Sequence, residues 1–283
     1  MGEIINVKEM AKKEKNILKE KIQSYIQKGL KAPTLATILV GEDPGSKYYL
    51  DMQKRALENL GGTFLKIILS EDISKEDLLQ VIKDLNADDQ VHGMMVLLPL
   101  PSHLSFDQVS MAIDPSKDVD GVHPLNIGLV ASTNKGMAPC TPLSVVSILK
   151  DTLLDLSGKE VVILGRSNIV GKPLIQLLLR ENATVTVCHS KTKNLSEMAS
   201  TAEILISAMG RPHMVDRDYI LEGATVIDVG TSEKDGKIVG DLDFESVRAK
   251  AKYVTQVPGG VGTLTTTILM RNLLECYENN LNK

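Results

Sequence analysis

The sequence predicts a two-domain α/β protein built on parallel strands. Short apolar runs alternate with helical segments, the order expected of βαβ units. The alternation stops in a Pro/Gly/Asp-rich stretch, 114–142, and starts again after residue 140. The length, 283 residues, is comfortable for two domains.

The elements follow in order. Residues 7–29 form a predicted helix ending at Gly29. Thr34–Val40 is a β-rich apolar run closed by Gly41. Residues 44–60 read as a helix that starts at Pro44 and stops at Gly61-Gly62. Thr63–Leu69 reads as a strand, and Ser74–Leu85 as a helix capped by Ser74, with Asp77 three residues on. Gly93–Leu98 is a third strand. The stretch 114–142 has little predicted regular structure, and so long a segment inside a compact protein is usually functional. A helix over Leu143–Asp151 links the halves. The second half then reads as strand Glu160–Leu164, helix 172–181, and strands Ala183–Cys188, Ile204–Ser207 and Thr225–Val229, with a final helix over 264–281. The expected domains are 1–140, with the last helix (264–283) packed back on it, and 141–263.

Composition narrows the function. Aromatic residues are only 3% and Trp is absent, so Val, Ile, Leu and Met must pack the cores, which suits buried parallel strands. The net charge of −4 bears on solubility and marks no partner. Lys12, Lys13, Lys15, Lys19 and Lys21 alternate with Glu14 and Glu20 and read as a solvated helix face, so no nucleic-acid partner is expected. Cys140, Cys188 and Cys276 form no CxxC pair, which fits reduced thiols in a cytoplasmic protein. The five histidines have no metal-ligand spacing, so no metal is expected. The start lacks the order of a signal peptide, and the run Met94–Leu98 is far too short to span a bilayer.

Val161–Leu164 followed by Gly165-Arg166-Ser167-Asn168-Ile169-Val170-Gly171-Lys172-Pro173 is strand, turn and helix. Gly165 permits a sharp turn, and the free N–H groups and dipole of the helix N-terminus favour a pyrophosphate. The pattern is not GxGxxG: Ser167 stands where the second Gly would be, and Gly171 falls one residue late. A nucleotide site and a structural turn both fit it. The next strand ends Cys188-His189-Ser190-Lys191-Thr192, without the acid that an NAD site uses to bond the ribose 2′-hydroxyl. A carboxylate repels a 2′-phosphate, whereas cations and hydroxyls attract it. Arg166, Ser167, His189, Ser190 and Lys191 therefore point to NADP rather than NAD, the alternative being a solvated basic loop.

With that turn in place, the chain resembles a known family. The segments are Gly41-Glu42-Asp43-Pro44, Pro99-Leu100-Pro101, Lys117-Asp118-Val119-Asp120-Gly121, Pro139-Cys140-Thr141-Pro142, the Gly165–Pro173 turn, Cys188–Thr192 and Val257-Pro258-Gly259-Gly260-Val261-Gly262. In this order and spacing they resemble the bifunctional methylenetetrahydrofolate dehydrogenase/methenyltetrahydrofolate cyclohydrolase family over nearly the whole chain. The resemblance implies a homodimer in one-carbon metabolism (with supply to purine synthesis), holding a tetrahydrofolate derivative in a cleft between its domains. It implies cofactor contacts from Gly165, Arg166, Ser167, Ile169, Gly171, His189, Ser190 and Thr231. Folate contacts would come from Tyr49, Leu97, Leu98, Asp120, Pro258, Gly259 and Gly262, with Asp120 accepting from the pterin N–H edge and Tyr49 along the aminobenzoate ring.

Two departures bear on the chemistry. The family's catalytic Tyr is followed four residues later, on the same helical face, by a Lys. Four residues after Tyr49 stands Gln53; Lys54 lies roughly 100° further round. The family's Gln before Leu98-Pro99 is here Leu97. Smaller departures are Thr231-Ser232 for Ile-Asn, and Thr263 for Pro, which would N-cap the last helix. Hydride transfer to nicotinamide leaves a nitrogen-stabilised methenyl cation and removes no proton, so it depends mainly on positioning. Hydrolysis of that cation needs proton transfers, for which Gln lacks a titratable proton. The expectation is a dehydrogenase, catalytic through Tyr49, Gln53 and Asp120, with weak or absent cyclohydrolase. The competing readings are a fully bifunctional enzyme using another group, a shikimate-dehydrogenase-like reductase, and a folate- or nucleotide-binding pseudoenzyme.

Overall fold

The computed structural model describes residues 1–133 and 135–281. The chain runs β1 (Glu3–Ile4), α1 (Val7–Gln27), β2 (Thr34–Val40), α2 (Pro44–Leu60), β3 (Thr63–Leu69), α3 (Lys75–Ala87) and β4 (Gly93–Val96). Next come α4 (Phe106–Ala112), α5 (Pro124–Ser132), α6 (Cys140–Leu153), β5 (Glu160–Leu164), α7 (Gly171–Arg180), β6 (Thr184–Cys188), α8 (Leu195–Ala199) and β7 (Ile204–Ser207). It closes with β8 (Thr225–Asp228), β9 (Ser232–Lys234), β10 (Lys237–Val239), α9 (Phe244–Arg248), β11 (Tyr253–Val254) and α10 (Val261–Leu281).

The residues divide into two compact units: 13–140 with 266–283, and 1–12 with 141–265. In the first, a three-stranded parallel sheet has the order β3-β2-β4. Its central strand β2 is buried along its whole length, which is why it reads as an unbroken apolar run. In α2, Ser46, Leu50, Gln53, Leu57 and Leu60 are buried, the i, i+3, i+4 stripe of a helix lying on a sheet. Asp43 caps α2 by accepting from the Ser46 N–H at 2.7 Å, and Gly61 ends it at φ 93°.

The second unit carries a six-stranded parallel sheet, β1-β11-β8-β7-β5-β6, and a small antiparallel pair, β9 with β10. Strand β5 pairs with β6 on one side and β7 on the other, so the chain steps from β5 out to β6 and then crosses back to β7. A switch point of this kind opens a crevice at the carboxyl ends of the strands.

Several boundaries differ from the expectation. Residues 1–12 belong with the six-stranded unit rather than with 13–140, because Glu3 and Ile4 pair with Tyr253 and Val254 at the sheet edge. Residues 266–281 of the last helix lie in the unit of 13–140; Asn282 and Lys283 fall outside the described residues. The 114–142 stretch contains the helix α5, started by Pro124 and by His123 Nδ1 accepting from the Leu125 N–H at 3.0 Å. Helix α10 begins at Val261, so Thr263 is no N-cap: its N–H donates to the Gly260 carbonyl at 2.9 Å, inside the first turn. Among the described residues no helix is long and apolar enough to cross a membrane.

Candidate active site

The first group of functional residues lies at the carboxyl ends of β5, β6 and β7. There a cavity of about 280 Å³ is lined by Gly165, Arg166 and Ser167 after β5, His189 and Ser190 after β6, and Ala208, Met209 and Arg211 after β7. Gly165 sits at φ 125°, and a Cβ on it would lie 2.4 Å from the Ala208 carbonyl oxygen. Only glycine fits both conditions. The late Gly171 has its own reason: a Cβ there would lie 2.3 Å from the Gly165 oxygen, so the start of α7 can pack directly beneath the turn. This is the close approach that a third fingerprint glycine usually provides.

Among the described residues no carboxylate lines this cavity. Among the described residues, neither Arg166 nor Arg211 makes an ion pair, and both are exposed. The His189 Nδ1 accepts from the Lys191 N–H at 3.1 Å, which leaves Nε2 as the ring nitrogen that can donate. The Ser167 hydroxyl accepts from the Val170 N–H at 3.2 Å, so it also steadies the approach to α7. The donor set suits an anion. Ile169, Gly171 and Thr231 do not line the cavity, although each was expected to contact the cofactor. Arg211, Met209 and Met214 do line it and were missed. The signal available for them was Gly210-Arg211-Pro212 directly after a buried strand.

The second group lies in the three-stranded unit. Tyr49 and Gln53 are one helical turn apart on α2. Gln53 is fully buried. Its Oε1 accepts from the Thr37 hydroxyl on β2 at 2.9 Å, and its Nε2 donates to the Met95 sulfur on β4 at 3.3 Å. Lys54 points away, as helical geometry requires, with its ammonium 3.9 Å from Glu58 in a solvated i, i+4 pair. Leu97 is buried and its side chain offers no polar atom, whereas Leu98 is exposed.

Asp120 is placed by its neighbours in the sequence. The buried Lys117 ammonium donates to the carbonyls of Leu85, Asn86 and Asp88 at 3.0, 2.8 and 2.8 Å, closing the end of α3. Asp118, also buried, accepts from the N–H groups of Val122 and His123 at 3.2 and 2.8 Å and from Asn126 Nδ2 at 2.9 Å. From α10, Asn272 Nδ2 donates to the carbonyls of Val119 and Ala138 at 2.9 and 3.2 Å. Lys117, Asp118 and Asn272 thus hold the loop from both sides. Burial, with the Asp118 charge adding to it, pushes the Asp120 carboxyl up to about 7. Burial also raises the Tyr49 phenol; the Asp120 charge adds to this, and the Gln53 and Thr266 side chains oppose it.

Pro258, Gly259 and Gly262 belong to the other unit, where Pro258 follows a cis peptide bond and Gly259 has φ 104°. Among the described residues no cluster of His, Cys, Asp or Glu suits a metal ion.

Two family models match the chain. Residues 5–120 match the catalytic domain, and residues 139–281 the NAD(P)-binding domain, of tetrahydrofolate dehydrogenase/cyclohydrolase. The chain belongs to this family. Among curated relatives, the bifunctional protein FolD of Clostridium botulinum (strain Eklund 17B / Type B) is 50% identical over 98% of this chain and 99% of its own. The crystal structure of bifunctional FolD, methylenetetrahydrofolate dehydrogenase/cyclohydrolase, from Campylobacter jejuni is 44% identical, with a TM-score of 0.96 over 99% of both chains. FolD from Trypanosoma brucei, solved with NADP cofactor and inhibitor, is 32% identical, with a TM-score of 0.94 over 100% of this chain and 99% of its own. Within the family, the catalytic-domain match holds Tyr49, Gln53 and Asp120, and the NAD(P)-binding match holds the Gly165 turn.

Proposed function

We propose that this protein oxidises 5,10-methylenetetrahydrofolate to 5,10-methenyltetrahydrofolate with NADP, and that its cyclohydrolase activity is weak or absent. NADP is supported by the acid-free, two-arginine cavity and by its presence in the trypanosomal relative. When bound, it supplies the hydride acceptor. This chain's contribution to that step is to hold the two reactants in register: Gly165 lets the backbone approach the dinucleotide, and Asp120 accepts from the pterin edge.

The observation that carries the second half is Gln53. Its amide is fixed between Thr37 and Met95, is buried, and exchanges no proton. A lysine at this depth would have its pKa depressed into a range useful for acid–base work, and the amide gives no equivalent. Retention of both activities is the second reading. It is favoured by the bifunctional relatives and by Asp120, a half-buried carboxyl whose pKa is pushed up to about 7.

One preparation decides between them. Dehydrogenase turnover is measured with NADP and with NAD, and the decay of methenyltetrahydrofolate absorbance is compared with its rate in buffer alone. Turnover with NADP and decay near the buffer rate are the expected results. We further propose a cytoplasmic homodimer, supported by the family resemblance and by three free cysteines, with light scattering as the check on assembly.

A further inference from the structure

We propose that Arg211 is a second guanidinium for the cofactor's 2′-phosphate, and that Asp241 is the positioning residue that presents it. The proposal rests on the NADP reading above and adds to it the residues that set selectivity between the phosphorylated and unphosphorylated dinucleotide.

The geometry begins at the end of β7. The Asp241 carboxylate is fully buried. Its Oδ2 accepts from the Ser207 hydroxyl at 2.8 Å and the Met209 N–H at 2.7 Å, and its Oδ1 accepts from the Arg211 N–H at 2.6 Å. Three donors from one five-residue segment therefore converge on one carboxylate. A buried carboxylate is costly unless its lone pairs are filled, so this arrangement holds only while the segment keeps its path. Asp241 is itself held, since its N–H donates to Asp228 Oδ1 at 3.1 Å. The pieces leave no slack: a Cβ on Gly230 would lie 2.3 Å from the Asp241 carboxyl carbon.

What the carboxylate presents is the part of the nucleotide cavity wall that follows β7, beside the Gly165 turn. Ala208, Met209 and Arg211 line it from this side. Arg211 Nη1 rests 3.9 Å from the Met214 sulfur, which also lines the cavity, so the guanidinium lies along the cavity rim. The guanidinium makes no ion pair among the described residues. A planar fork of donors without an ion pair, lining the same cavity as a second one, suits a phosphate dianion.

Steady-state kinetics of the wild type, R211A, R211K, D241N and the R211A/D241N double variant with NADP and with NAD test this. In R211A the ratio of kcat/KM for NADP to that for NAD should fall by about 10- to 100-fold, the size expected for charge-assisted bonds to one phosphate. R211K should recover part of the loss. D241N should lower the same ratio, and lower it much less when Arg211 is already Ala, the non-additivity of two residues acting through one contact. A ratio unchanged in R211A overturns the assignment, as does a parallel loss for NADP and NAD, which would place the guanidinium on the shared adenine or pyrophosphate. A wild type with no preference for NADP overturns the NADP reading itself, and with it this proposal. If D241N does not fold, S207A, which removes one donor from the Asp241 carboxylate, takes its place in the same comparison, and a ratio unchanged in S207A overturns the role of Asp241.

Discussion

The two functional regions are built on opposite principles. The Gly165 cavity is made of backbone turns and exposed cations: Gly165 and Gly171 allow a close approach, and among the described residues neither Arg166 nor Arg211 makes an ion pair. The region around Tyr49 and Asp120 is made of packed side chains. Gln53, Lys117 and Asp118 are buried there, each with its hydrogen bonds made inside the protein. The first design tolerates variation in the fingerprint, as the displaced Gly171 shows. On the dehydrogenase-only reading proposed above the second does not, because in a low-dielectric setting an amide at position 53 offers no titratable proton.

The sharpest way to break the contrast is at the tightest backbone position. Gly165→Ala forces a positive φ on alanine and a 2.4 Å contact with Ala208. It should destabilise the protein by about 2–5 kcal/mol in urea unfolding and abolish nucleotide binding. Next in size, Asp120→Leu should lower kcat/KM for the folate substrate by about 100-fold with a much smaller change in KM for NADP, the loss of a half-buried charged acceptor. Third, Gln53→Lys with Leu97→Gln should raise hydrolysis of methenyltetrahydrofolate by at least about 10-fold, more than either change alone, as expected of residues that share one polar pair.

The smallest effect concerns pH and stability. The Asp120 carboxyl, pushed up to about 7, lies above the ordinary carboxylate value of 3.8. Its contribution favours the folded state most below pH 4 and is lost as pH rises through about 7. Asp120→Asn should therefore raise Tm at pH 8 and change it little near pH 4. The same titration should raise the wild-type KM for folate as pH falls below 7, since the protonated carboxyl accepts fewer N–H bonds.

What could be read in advance follows the same division. The strands β2, β3, β5 and β7 end at their expected residues, because a buried parallel strand is an uninterrupted apolar run bounded by turn residues. The edge pairs β1 with β11 and β9 with β10 are two or three residues long and carry no such pattern, so they were not foreseen. Helix α5 was hidden in Pro- and Gly-rich sequence, since it buries only Val130 and the polar Asn126, which donates to the Pro115 carbonyl and to Asp118. The Gly165 turn was legible because strand, turn and helix are contiguous. Arg211 was not, because its place in the cavity is set by Asp241, thirty residues further along the chain. The identity of position 53 was plain in the sequence; only the fold shows that Thr37 and Met95 satisfy its amide.

The most direct test of the central claim follows both products at once. Methylenetetrahydrofolate and NADP are supplied to the purified protein, and NADPH, methenyltetrahydrofolate and 10-formyltetrahydrofolate are measured along one progress curve. The account predicts that methenyltetrahydrofolate accumulates in step with NADPH and then decays at the rate seen without enzyme. NADPH formed together with 10-formyltetrahydrofolate, with little methenyltetrahydrofolate at any time, would contradict it.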